Sequence, residues 1–92
     1  MIKGFVHKGL ENFFYDGIKK GLQAKHLGKI ELILDLLDAA TDIKDMKFSG
    51  SNLHLLQPKK DSIWSVKVSG NWRITFRFED GDAYVVDYRD YH

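Results

Sequence analysis

From Lys8 onward the apolar positions fall at helical spacing, with Leu10, Phe13, Phe14 and Ile18 on one stripe. Gly17 and Gly21 mark the end of that helix. Leu27, Ile30, Leu34 and Leu37 then recur three and four apart with Ile33 beside them, while Lys29, Glu31 and Asp35 fill the other side. That pattern predicts a second helix with an apolar face. Ahead of both, Ile2-Lys3-Gly4-Phe5 opens on alternation and reads as a short strand. Thr41 to Asn52 has no clean period and reads as a connection ending in Ser49-Gly50-Ser51-Asn52.

After Asn52 the period changes to two. Leu53 to Leu56 is a short strand, halted at Gln57-Pro58-Lys59-Lys60-Asp61, where the proline has no N–H for a ladder. Ile63 to Val68 alternates, Ser69-Gly70 turns the chain into Trp72 to Phe78, and Asp80-Gly81 turns it into Ala83 to Tyr88. Connections this short require antiparallel neighbours. The expected fold is α+β, one domain over residues 1–92 in the order β-α-α-β-β-β. An N-terminal strand and a two-helix hairpin pack on an antiparallel sheet.

Alternation also sorts the two faces of that sheet. Trp64, Val66 and Val68 share a side, as do Trp72, Ile74, Phe76 and Phe78, and both sets belong under the helices. Ser65, Lys67, Arg73, Thr75 and Arg77 then gather on the opposite face. That face is either a solvated surface or a basic, hydroxyl-bearing binding surface. Tyr84 and Tyr88 have the parity to share a side, and His7 and His26 are expected on the surface of the helical half without a role.

Composition narrows the setting. A chain of 92 residues supports one small domain. It has no cysteine, so neither a disulfide framework nor a thiolate metal site is open to it, which fits a reducing cytoplasm. Its most apolar stretch, Ile30 to Ala40, is interrupted by Glu31, Asp35 and Asp38 and is too short for a bilayer. A soluble cytoplasmic protein with no membrane attachment is expected. The net charge of +1 conceals a polarity: residues 53–78 carry a surplus of four positive charges and residues 79–92 a deficit of four. Adjacent strands can cancel such charges, or hold a phosphate beside a carboxylate.

The chain ends on Asp87-Tyr88-Arg89-Asp90-Tyr91-His92, an unusual density of acid–base groups for a terminus. Together with "MIKGFVHKGL" at the start, "LDAATDI" at the end of the second helix, and "IWSVKVSGNWRITFRFEDGDAYVVDY", the terminal "DYH" resembles the HigB toxins. These belong to the RelE/ParE-like superfamily of bacterial toxin–antitoxin systems, and the resemblance covers essentially the whole chain. It implies a RelE-like fold and a ribosome-dependent mRNA endonuclease that cuts codons in the decoding site and so inhibits translation. It also implies a HigA-like helix-turn-helix antitoxin, with operator DNA met only through that antitoxin. The family's cleavage residues match His54, Asn71, Arg73, Asp90, Tyr91 and His92. The sequence departs from the family at a loop lysine, where Gln57 stands, with Lys59 and Lys60 two and three residues on.

RNA cleavage without a metal needs a base for the 2′-OH proton, a cation for the scissile phosphate and an acid for the leaving 5′-oxygen. No HExxH motif or acidic cluster is present, so acid–base chemistry with no metal and no cofactor is the economical expectation. Arg73 can fork onto two phosphate oxygens. His54 and His92 titrate near neutrality. Asp90 can orient a histidine or act as base, and Tyr91 can position the nucleotide or donate a proton. Lys59, Lys60, Lys67, Asn71 and Arg77 are the candidate RNA-binding residues. Two other readings stand beside the nuclease: a ParE-like gyrase poison, and a non-catalytic RNA-binding module.

Overall fold

The computed structural model describes residues 1–57 and 62–91, apart from the side chain of Gln57. Two helices, α1 (Lys8–Asp16) and α2 (Leu27–Ala39), precede four strands: β1 (His54–Gln57), β2 (Ile63–Ser69), β3 (Trp72–Glu79) and β4 (Asp82–Asp90). The strands form one antiparallel sheet in the order β1-β2-β3-β4. Single 3-10 turns at Ala24–His26 and Ile43–Met46 lead into and out of α2.

The first helix starts where His7 Nδ1 accepts the Leu10 N–H at 3.1 Å. It stops at Gly17, whose φ of 71° breaks the helix and aims its N–H back at the Phe13 carbonyl at 3.0 Å. Ile18 lies beyond that cap and is exposed, so the apolar stripe of α1 ends at Phe14. Leu10 is fully buried, with Phe13 and Phe14 packed against the core.

Ile30, Ile33, Leu34 and Leu37 of α2 are all buried against Val66, Ile74, Phe76 and Val86 of the sheet. Each such side chain contributes ~1.5–3 kcal/mol on leaving water. This contact fixes which side of the sheet is closed and which carries the polar alternation. Among the described residues, no helix is long and apolar enough to cross a membrane.

Two expectations are corrected. Four strands follow the helices, and residues 2–5 do not form a strand. Instead, Ile2 and Phe5 make isolated parallel bridges to Ala83 and Val86. The reason lies in β4, where Val85 adopts a left-handed φ of 49° and the register shifts between Thr75 and Arg77. Two residues of β4 face one of β3 there, so the outer edge of β4 offers no continuous row of partners. The N-terminal segment bonds on either side of that bulge, through Lys3 N–H to Ala83 O at 2.7 Å and Val86 N–H to Gly4 O at 3.0 Å. It still covers the exposed sheet edge.

Candidate active site

Strand register arranges the face of the sheet away from α2 in three cross-strand rows. One row is Lys67, Arg73 and Arg89. The next is His54, Ser65, Thr75 and Asp87. The third is Ile63, Arg77 and Tyr84. Alternation predicted that Lys67, Arg73 and Arg77 share this face, and the register puts them there.

The first row sets three cations side by side on neighbouring strands, an arrangement that repels itself unless an anion lies over it. Arg73 leans out of its row toward the middle one, its Nη1 donating to Ser65 Oγ at 3.5 Å. Arg89 Nε lies 3.9 Å from Asp87 Oδ2 and its guanidinium sits 5.3 Å from the Tyr91 ring. Ser65 and Thr75 are almost fully buried, so the hydroxyls form a floor rather than a contact surface.

His54 stands across from Ser65 at the end of the middle row. Its Nδ1 lies 2.7 Å from the Asn52 carbonyl oxygen. A carbonyl only accepts, so Nδ1 carries a proton and, in the neutral ring, Nε2 holds the lone pair. Ser65 on β2 is thus the register partner of His54 on one side and accepts from Arg73 on the other. A proton acceptor and a guanidinium set on either side of one strand can handle a hydroxyl and a phosphate together.

The tail is held rather than frayed. Asp90 is the last residue of β4, opposite Trp72, and the Tyr91 N–H donates to the Asn71 carbonyl at 2.8 Å. Asn71 is therefore tied to Tyr91 through its backbone. Alternation puts Arg89 on the open face and Asp90, like Tyr88, on the other side. Asp90 is brought to the rim of the sheet, not onto the row that carries Arg73. His92, Lys59 and Lys60 lie outside the described residues.

Sequence reasoning misplaced three residues. Tyr84 and Tyr88 do not share a side: the Val85 bulge turns Tyr84 to the open face opposite Arg77, while Tyr88 is buried opposite Ile74. His26 is buried, with Nδ1 at 2.6 Å from Tyr88 Oη. Burial first, and Lys25 second, hold its imidazole below the usual histidine pKa. Burial also raises the Tyr88 phenol, opposed by the Gln23 backbone hydrogen bond and helped by Asp90, so the hydroxyl stays protonated. Tyr88 stacks on Trp72 at 4.5 Å and meets the edge of His7 at 5.5 Å. A signal was present in the sequence: Leu22 and Ile30, four residues to either side, put His26 in line with the apolar stripe of α2.

Comparison with known proteins agrees with this architecture. Residues 3–92 match the family described as HigB-like toxin, RelE-like toxin of type II toxin-antitoxin system HigB. A Proteus vulgaris protein named endoribonuclease HigB is 42% identical over 92 residues, the full length of both chains. An uncharacterized protein of Haemophilus influenzae is 32% identical over 51 residues, 54% of this chain and 50% of that one.

Proposed function

The chain belongs to the HigB-like family of RelE-like toxins in type II toxin–antitoxin systems, and on that premise we propose how it acts as an endoribonuclease: it cuts translated mRNA in the ribosomal decoding site by metal-independent acid–base chemistry. The observation that carries this reading is the oriented imidazole of His54 in the same cross-strand row as Ser65, whose hydroxyl accepts from Arg73. His54 Nε2 takes the proton of a ribose 2′-OH. The 2′-oxygen attacks the adjacent phosphorus, and Arg73, backed by Lys67, takes up the charge that grows on the phosphate oxygens. The P–O5′ bond breaks as an acid of the tail, among Asp90, Tyr91 and His92, supplies a proton to the leaving oxygen. The products are a 2′,3′-cyclic phosphate and a 5′-hydroxyl end.

The family makes an antitoxin the partner. We take it to be a HigA-like helix-turn-helix protein through which operator DNA is met, and take the cytoplasm as the place of action. Lys59, Lys60, Lys67, Asn71 and Arg77 hold the message. A gyrase poison has no use for a cation row beside an oriented imidazole, which is why the nuclease is preferred to a binder. Cleavage on purified translating ribosomes should persist when EDTA is added after ribosome integrity is secured, should leave 5′-hydroxyl ends, and should stop on addition of the cognate antitoxin. A requirement for added divalent metal at the cutting step, or 5′-phosphate ends, would overturn the scheme.

A further inference from the structure

The third row of the open face has a chemistry unlike the other two. Arg77 lies with its guanidinium carbon 4.3 Å from the centre of the Tyr84 ring, a stacked cation–aromatic pair. Its Nη1 is also held by Glu79 Oε1 at 3.1 Å. The cation is thus held over a ring by one neighbour and neutralised by another, yet its side chain keeps 32% of its surface exposed. Ile63, on the neighbouring strand, continues the row with a half-buried apolar side chain.

Charge decides what such a step can accept. Among the described residues, Lys67, Arg73 and Arg89 form a row of three cations with Asp87 in the row beside it, so the first row favours phosphate. At the third row Glu79 offsets Arg77, and Asp80 and Asp82 follow in the turn, so a phosphate there is disfavoured. What remains attractive is a flat, polarisable, uncharged group. Arg73 and Arg77 are four residues apart on β3, or ~13 Å at ~3.3 Å per residue, a span that reaches beyond the nucleotide being cut.

We propose that Arg77 and Tyr84 form a nucleobase-stacking subsite, which takes the base of a message nucleotide neighbouring the cleaved one while the cation row holds the backbone. The bulge at Val85 makes the subsite, because without it Tyr84 would lie on the same side as the buried Tyr88. Stacking of this kind tolerates any base and sets where the strand lies, not which codon is cut. Glu79 holds the guanidinium through Nη1 and acts as a positioning residue.

This proposal rests on the nuclease reading, and its test separates the two. Programmed ribosomes carry messages in which single nucleotides around the scissile bond are abasic, and cleavage by the full chain is compared with that by Tyr84→Leu and Tyr84→Phe. With the unaltered protein, loss of one particular neighbouring base should raise KM roughly 10-fold, the scale of one aromatic–base stack, while kcat changes little. Tyr84→Leu should show that raised KM on the intact message and no further rise at the abasic position. Tyr84→Phe, which keeps the ring, should behave as the unaltered chain. Thermal melting of each variant monitors the fold, and because each variant is compared with itself on two messages, a destabilised variant still reports. If Tyr84→Leu responds to every abasic position as the unaltered protein does, the subsite does not exist. If the unaltered chain fails to cut the intact message, the nuclease reading itself has failed.

Discussion

A carbonyl cannot donate, so the contact between His54 Nδ1 and Asn52 O fixes a tautomer and with it a direction for proton transfer. Asn52 makes this possible by adopting a left-handed φ of 50°, a conformation that asparagine tolerates better than most residues, just before β1 begins. His54 is exposed and makes no core contact. His54→Ala should therefore leave the melting temperature nearly unchanged while lowering the single-turnover cutting rate ~10²–10⁴-fold, the usual worth of a general acid or base. Thermal melting and single-turnover cutting on programmed ribosomes, measured side by side, check both. At this scale, strand alternation made Lys67, Arg73 and Arg77 legible from the sequence. Tyr84 was not legible, because one left-handed valine reverses the parity of everything before it on β4 and nothing in "DAYVVDY" marks which residue does so.

Among the elements, the link between the start of α2 and the last strand depends on a buried histidine. His26 Nδ1 meets Tyr88 Oη at 2.6 Å, and among the described residues its Nε2 is buried with no partner. The Tyr88 hydroxyl stays protonated and shares a hydrogen bond with Nδ1 of the neutral ring. An imidazolium would add a charge inside the core. The sign of the resulting pH dependence follows. Below ~6.5 the unfolded chain binds a proton that the folded protein, with its depressed His26 pKa, resists. Stability attributable to His26 is then complete above that value. It falls as pH drops, by at most ~1.4 kcal/mol per unit, until the folded pKa is reached. Urea unfolding between pH 7 and pH 5 should show this slope, and His26→Gln, less stable at neutral pH, should show a flatter one. Equal slopes would mean that other groups carry the acid sensitivity. The helices and the four strands after them were legible because apolar periods and turn residues agree. Residues 2–5 were not, because the alternation there is real but its partner edge is broken by the bulge on β4.

Over the whole molecule, the charge polarity of the sequence acquires a shape. The acidic last strand lies against the basic β3, with Asp82 at the turn, Asp87 in the row beside Arg73 and Asp90 at the rim. The terminus belongs to the sheet up to Asp90 and to the β2–β3 turn through the Tyr91 amide, so three acid–base residues can end the chain without interrupting a ladder. Neither Asp90 nor Tyr91 is part of the described core. Among the described residues, removing them deletes one rung, the Tyr91 backbone hydrogen bond, the Arg89–Tyr91 ring contact and the contacts of Asp90. That costs ~1 kcal/mol, or about 4–8 °C in Tm for a domain of this size. The most direct test of an open sheet face completed by its tail is the rate at which a chain ending at Arg89 cuts message on the ribosome, with melting and ribosome binding followed in parallel. The truncated protein should fold, bind ribosomes and leave the message intact; a folded, bound protein that still cuts at the full-length rate would contradict the account.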